Sequence, residues 1–417
     1  MVSNKLSQDL KNIVGWKNIS ADRDVISCAG FPEPVRPEII VFPDSKEEIC
    51  QIVSYANQNQ IEVVPIGGGT QIKAVLCSAG GGVAVSLRRM NRILALEPDN
   101  LSLTVEAGLT NDLLQKATEE FNLFLPVFPD HNQSTIGGEV AANAGSRKRA
   151  GYGCAGDYVL GVEFISPQGQ VVKTGGKTVK NASGYDFTKL LTGSWGTIGV
   201  ITAVTLRLRP RPEKEAILLV PFKNTEEAVL VGKQILVSRV FPVSLDIFAG
   251  RGLEVMTEGA EVILAAGIEG SREAVEEQLQ KMTAITGTNT QFINDLAAIR
   301  IFWEKYHQFR RNLQSGTVRT AAFDKRILED MGQALSWIME DKGAVQLDIA
   351  SGMIEFSASG VFSHRWAELA RHLGKGIKMG SDENLTKQPV LEKLLSKIDP
   401  ARIMFPHHRL LRGVERG

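Results

Sequence analysis

Three stretches of small residues hold most of the chemistry this 417-residue sequence can do. They are Pro65-Ile66-Gly67-Gly68-Gly69-Thr70, then Thr135-Ile136-Gly137-Gly138-Glu139-Val140-Ala141-Ala142-Asn143-Ala144-Gly145, then Gly193-Ser194-Trp195-Gly196-Thr197-Ile198-Gly199-Val200-Ile201. Glycine adopts backbone angles closed to other residues and lets a ligand approach the main chain, while successive amides after a strand can converge on an anion. Alanines between the glycines leave room for a planar or phosphorylated group. A turn explains the glycines of any one stretch, whereas three such stretches in one region point to a single large ligand.

Other spacings imitate nucleotide sites without their context. Gly151-Tyr152-Gly153-Cys154-Ala155-Gly156 fits G-x-G-x-x-G, but polar Arg147-Lys148-Arg149 precedes it and a strand follows, the reverse of the dinucleotide arrangement. Gly176-Lys177-Thr178 ends like a phosphate-binding loop that lacks its leading glycine, since Val171 stands there. Both read as turns. Cys28, Cys50, Cys77 and Cys154 form no C-x-x-C pair, and the six histidines show no H-E-x-x-H or H-x-x-x-H spacing, so no metal site is expected. His307, Arg310 and Arg311 fall on one predicted helix beside Trp303 and Tyr306, with Arg319 on a nearby predicted strand. A histidine base and an arginine cation would suit a hydroxy acid, but such residues equally make a solvated or partner-facing surface. No catalytic residue is assigned from them.

The elements that must position these residues follow from periodicity. Ser45 caps a helix running through Ile49, Ile52, Val53 and Ala56, and the strand over 62–66 runs straight into Gly67. Strands are expected over 38–41, 83–87, 93–96, 102–106, 158–165, 170–173 and 199–209, with a helix over 111–120. Pro210-Arg211-Pro212 then breaks the chain. Beyond it lie strands over 216–220, 244–248 and 261–267 with helices over 225–238 and 271–286, most of a β-α-β-β-α-β unit. A helix over 297–311 separates this from a similar order: strands over 317–322, 344–350 and 353–357, helices over 325–340 and 363–373.

Lysine plus arginine and aspartate plus glutamate both total 47, so there is no basic excess to attract nucleic acid. Arg147-Lys148-Arg149 and the arginines of 207–211 read as a solvated loop and a solvated strand face. No run approaches the roughly 20 apolar residues of a membrane span.

The small-residue stretches, Pro129-Asp130 ahead of the second, Tyr152-Gly153 with Asp157, Val159, Leu160 and Gly161, and Lys180-Asn181, Gly184-Tyr185-Asp186 and Lys189-Leu190 ahead of the third occur in one order. In that order they resemble the FAD-binding domain of the vanillyl-alcohol oxidase or p-cresol methylhydroxylase (PCMH) type, over residues 36–212. Within it the chain is similar to the smaller flavin-binding subunit of bacterial glycolate oxidase and to D-lactate dehydrogenases. Ile398-Asp399-Pro400 to Ile403-Met404-Phe405-Pro406 resembles the closing segment of those enzymes.

The resemblance implies an α+β fold: a two-subdomain PCMH-type FAD-binding domain followed by a ferredoxin-like, pseudo-repeated α+β cap domain. The expected division is an N-terminal extension over 1–35, the FAD-binding domain over 36–212, a cap for substrate or partner over 213–398, and a tail over 399–417 returning to the FAD domain. It implies FAD with Ile66, Gly67, Gly68, Gly69 and Thr70 at the pyrophosphate. Ser134 and Thr135 would lie at the phosphates or ribityl chain, Ala142, Asn143, Ala144 and Gly145 near the flavin ring, and Gly199, Val200 and Ile201 at the adenine side. Gln71, Pro129, Gly137 and Gly138 complete the set.

Relatives with covalent flavin place a histidine or cysteine just after the first glycine loop. Here Gln71 and Ile72 stand there, and the surroundings of Cys154 do not match the usual attachment motifs, so non-covalent FAD is expected. The larger glycolate oxidase subunit carries an H-x-G-D-G-N-x-H type segment in its cap, and none of the six histidines here sits in one. The expectation is therefore an FAD-binding subunit of a glycolate or D-lactate (2-hydroxyacid) dehydrogenase complex that takes part in electron transfer. Its partners would be a larger FAD-binding dehydrogenase subunit and an iron–sulfur subunit, with the small 2-hydroxyacid a substrate of the complex. The location would be cytoplasmic, meeting the inner membrane only through partners. The alternative is a self-sufficient FAD-dependent oxidoreductase on another hydroxylated substrate; a scaffold that has lost the cofactor is a third reading.

Overall fold

The structure is a computed structural model that describes residues 4–29, 31, 37–70, 82–127, 133–176, 187–257, 259–287, 289–314, 318–323, 328–340, 342–357, 377–379, 394 and 396–404. The chain divides into two compact units. The first comprises Met1–Ser146, Cys154–Arg211 and Asp382–Gly417, and the second Arg147–Gly153 and Pro212–Ser381.

The first unit holds two sheets that suit its small-residue segments. A four-stranded sheet has the order Ile19–Ser20, Ile39–Val41, Val83–Ser86, Val63–Ile66, the last three mutually parallel. Parallel strands are buried on both faces, and Ile39, Ile40, Val41, Val63, Val83, Ala84 and Val85 are all nearly inaccessible. The helix Lys46–Asn59 buries Ile49, Ile52, Val53 and Ala56, the spacing of one helical face, and its cap Ser45 accepts the N–H of Glu48. A five-stranded antiparallel sheet follows, in the order Ile93–Glu97, Ser102–Glu106, Val200–Arg207, Val159–Ile165, Val171–Gly175. The 1–35 stretch contributes helices Asn4–Val14 and Arg23–Cys28, with Leu6, Leu10 and Val14 buried.

The second unit is one eight-stranded antiparallel sheet, in the order Gln291–Ile293, Lys214–Phe222, Val262–Gly270, Ser244–Gly250, Ala344–Asp348, Met353–Ser357, Val318–Phe323, Ile377–Met379. The two similar halves expected from the sequence join through pairing of Ser244–Gly250 with Ala344–Asp348. Both faces are covered: Ala216, Leu218 and Val220 enter the core under helices Thr225–Val237, Arg272–Thr286 and Leu328–Glu340. The alternate Ile217 and Leu219 enter the core of the long helix Leu296–Gln314. The helix expected over 363–373 lies outside the described residues.

Arg147-Lys148-Arg149 does not form a solvated loop. Lys148 is buried, bound to Glu215 at 2.9 Å and to Glu269, ahead of the short helix Arg149–Tyr152, whose Tyr152 hydroxyl donates to Glu269. Two carboxylates on neighbouring strands supply what water would have supplied to the ammonium, a condition no local pattern encodes. The G-x-G-x-x-G spacing likewise spans this helix and a 3-10 turn at Ala155–Tyr158 rather than a simple turn.

In the first unit, buried Asp399 ties the C-terminal segment down. Its carboxylate accepts the N–H groups of Ile403 at 3.2 Å and Met404 at 2.8 Å, and the Ile403 carbonyl accepts the N–H of Val63 at 2.7 Å. Asp399→Ala leaves those two buried donors unsatisfied and should cost about 2 kcal/mol of stability. Urea unfolding of the variant against the parent reads it, and an unchanged midpoint would show the segment to be dispensable.

Candidate functional site

The strand Val63–Ile66 delivers the chain directly into Gly67, Gly68, Gly69 and Thr70. Two of these glycines are required by contact. A β-carbon on Gly67 would lie 2.0 Å from the Thr135 hydroxyl, and one on Gly68 would lie 1.9 Å from the Gln133 carbonyl oxygen. The first segment therefore lies against the Thr135 side chain at Gly67 and against the main chain of Gln133 and Ser134 at Gly68.

The second segment is a helix rather than a loop. Ile136–Ala142 follows Thr135 as its N-terminal flanking residue, and the N–H groups of Ile136 and Gly137 donate to the carbonyls of Leu109 and Ala107. Gly137 meets Ala107 so closely that its β-carbon would lie 2.5 Å from that of Ala107. The helix presents Gly138, Ala141 and Ala142 outward and ends at Asn143, which takes left-handed angles. The Asn143 amide oxygen accepts the N–H of Gly156 at 3.0 Å.

The third segment docks on the carbonyl end of the same helix. Gly193 and Trp195 donate their N–H groups to Val140 and Ala141 at 3.0 and 2.8 Å, and Gly196 packs against Pro65. All three segments thus border one open groove, the concave setting in which small-molecule and cofactor sites form.

Of the residues expected at a cofactor, Ile66, Gly67, Gly68, Gly69, Thr70, Ser134, Thr135, Gly137, Gly138, Ala142, Gly199 and Ile201 line this groove. Asn143, Ala144, Gly145 and Val200 are not in its lining: Asn143 caps the helix, Gly145 bridges to Cys154, and Val200 is buried within its sheet. Gln71 and Pro129 lie outside the described residues. Pro65, Leu87, Ala107, Glu139, Ala141, Trp195 and Gly196 also line it. Trp195 and Gly196 stood in the third segment and could have been named from it. Leu87 and Ala107 come from strand ends whose sequence carries no ligand signal.

Glu139 is the one ionisable side chain in that lining, and it is fully buried. Burial pushes its carboxyl up to about 8, only partly offset by hydrogen bonds from the Asn111 amide, at 3.3 Å, and the Ser134 hydroxyl. Glu139 is therefore mainly protonated at neutral pH, and the described lining holds no other ionisable side chain. The buried Thr135 hydroxyl has no partner among the described residues and lies beside both Gly67 and Gly138.

The histidine and arginines of the predicted helix belong to Leu296–Gln314 in the second unit. His307 Nε2 lies 2.8 Å from a guanidinium nitrogen of Arg147, which stacks 4.2 Å over the Trp303 ring, while Arg310 pairs with Glu355. Arg311 is exposed. On the same face Gln346 donates to Asp246 at 2.9 Å and to the Tyr306 hydroxyl at 2.8 Å. Burial first, and then the charge of Asp348, holds the Asp246 carboxyl well above its ordinary range.

Residues 37–175 match the family model of the FAD binding domain. The chain is 30% identical over 298 residues to the glycolate oxidase subunit GlcD of Bacillus subtilis (strain 168), covering 68% of this chain and 63% of that protein. It is 38% identical over 212 residues to a D-lactate dehydrogenase of Anaerostipes hadrus, covering 51% and 44%.

The chain carries an FAD binding domain.

Among solved structures, p-cresol methylhydroxylase with substrate bound superposes with a TM-score of 0.76 at 15% identity, covering 99% of this chain and 98% of that one. The 4-ethylphenol oxidase from Gulosibacter chungangensis gives 0.69 at 13%, covering 95% of each. At those identities the likeness is one of fold. The matched stretches span between 44% and 63% of these two curated relatives. This flavoprotein's groove fits FAD on its own terms: walls rich in glycine and alanine give a planar, phosphorylated group close access to the main chain, and the Thr135 hydroxyl can reach one.

Two outcomes follow. Gly68→Ala forces the 67–70 loop off Gln133, so the purified variant should carry less than about a tenth of the parent's flavin absorbance per chain; a full complement would mean that this contact is not needed. For Glu139, a folded-state value above the ordinary 4.5 means the native protein holds the proton more tightly than the unfolded chain. The associated stability is present in full below about 4.5 and is lost as pH rises to about 8, by up to about 1.4 kcal/mol per unit. Glu139→Gln should flatten that dependence between pH 6 and 8, and identical pH profiles of unfolding for parent and variant would refute it.

Proposed function

We propose that this chain is a non-covalent FAD-binding subunit of a glycolate or D-lactate type 2-hydroxyacid dehydrogenase complex, relaying electrons. The observation that carries the FAD part is the convergence of three small-residue segments on one groove, the first two of them within the FAD binding domain matched over 37–175. Ile66, Gly67, Gly68, Gly69 and Thr70 would hold the pyrophosphate through main-chain amides, and Ser134 and Thr135 the phosphates or ribityl chain. Bound there, FAD supplies the acceptor for a hydride or an electron pair. Non-covalent attachment is supported by the sequence: no histidine or cysteine stands in 65–72.

The relaying role is supported by the second unit and by the relatives' names. A 2-hydroxyacid site needs a base for the hydroxyl and an open cation for the carboxylate. In the second unit Lys148 is bound by Glu215 and Glu269, Arg310 by Glu355, and Arg147 lies against His307 and Trp303. A subunit named for glycolate oxidase is among the relatives, so a larger flavoprotein chain and an iron–sulfur chain are the partners proposed.

The name D-lactate dehydrogenase on another relative keeps a self-sufficient oxidoreductase as the second reading. Purified alone, the chain should be yellow, release all its flavin on acid precipitation, and keep that flavin oxidised in anaerobic glycolate or D-lactate. Bleaching at ordinary enzyme rates would overturn the relaying role in favour of the second reading, and flavin left in the precipitate would overturn non-covalent binding.

A further inference from the structure

Among the described residues the lining of the groove holds no positive charge, yet the ligand proposed for it carries two phosphates. The described lining contains one ionisable side chain, Glu139, which is buried and acidic. The residues 67–70 contain no lysine or arginine. Main-chain amides can bind a pyrophosphate by themselves, but a guanidinium nearby adds a charge-assisted interaction roughly twice as strong as a neutral hydrogen bond.

One guanidinium is attached to this loop. Arg88 follows Leu87, which lines the groove, and its guanidinium donates to the Gly68 carbonyl at 3.0 Å. The neighbouring arginines are committed elsewhere: Arg89 pairs with Asp44 at 2.6 Å and Arg92 with Glu106 at 2.6 Å. Arg88 is exposed and forms no ion pair with a carboxylate among the described residues. A guanidinium has five N–H donors in a fixed fork, so one bond to Gly68 leaves others for an anion at the loop.

We propose that Arg88 supplies the positive charge that binds the FAD pyrophosphate at the 67–70 loop. This rests on the reading that the groove holds FAD. The bond to the Gly68 carbonyl keeps the guanidinium at the loop, and the charge complements phosphates that the loop's amides alone would neutralise incompletely. The interaction acts on FAD and on any ligand with the same pyrophosphate, and leaves the isoalloxazine end untouched.

The test is titration of the flavin-free full chain with FAD, with ADP as a pyrophosphate probe and with riboflavin as a phosphate-free one, at low and high salt. Arg88→Ala should bind FAD and ADP about tenfold more weakly and with a shallower salt dependence, while riboflavin binding stays unchanged. Arg88→Lys should keep most of the affinity and all of the salt dependence, whereas Arg88→Gln, which keeps a donor without the charge, should behave as alanine. Equal FAD affinity and salt dependence in Arg88→Ala and parent would overturn the proposal while leaving the groove's reading intact. Rescue by glutamine but not by lysine would also overturn it, since only positioning of Gly68 would then be at stake. A parent chain that binds no FAD would sink the groove's reading and this inference together.

Discussion

The contact on which the first unit depends is the approach of Gly67 to the Thr135 side chain and of Gly68 to the main chain of Gln133 and Ser134. With hydrogens where side chains would stand, the loop leaving the strand Val63–Ile66 can lie against Gln133, Ser134 and Thr135. That contact places Thr135 at the start of the helix Ile136–Ala142, whose carbonyl end accepts the N–H groups of Gly193 and Trp195. The strand, the helix and the third segment thereby share one groove. Any bulk added at the first contact has to be absorbed by backbone, which is stiffer than a side chain and already committed to hydrogen bonds.

Charge is handled oppositely in the two units. The described lining of the first unit's groove is mostly small and apolar, and burial pushes its one described carboxyl, Glu139, up to about 8. The sheet face under the helix Leu296–Gln314 in the second unit instead buries ions in compensating sets. Burial alone would raise the Glu215 carboxyl, but the charge and hydrogen bond of Lys148, the Trp303 hydrogen bond and the charge of Arg147 together lower it. Such sets are held by mutual need, because removal of one partner strands the other in a low-dielectric interior. That explains why cations that look suited to a carboxylate ligand can be internal structure.

Much of the architecture was legible because it is local. The alternation in 216–220 and the stripe Ile49, Ile52, Val53, Ala56 have one physical explanation each, and the structure places a strand and a helix there. The bed of small residues was legible as a ligand surface but not as a helix. Two consecutive glycines argue against helix on propensity, and the hydrogen bonds from Ile136 and Gly137 to Leu109 and Ala107 come from elsewhere in the chain. Lys148 was read as solvated for the same reason: the glutamates that bury it lie 67 and 121 residues further along the chain.

By itself, then, the sequence determined the order of the longer periodic strands and helices, the absence of a net charge, and the three places where backbone could be approached closely. These are properties of residue type and spacing. Only the tertiary structure decided that the three places border one groove, that Leu87 and Ala107 join them, that Asn143, Gly145 and Val200 serve helix capping, bridging and packing instead, and that Arg88 rests on Gly68. Those outcomes depend on which main-chain and side-chain groups become neighbours after folding, and a pattern of nearest neighbours along the chain does not carry that information.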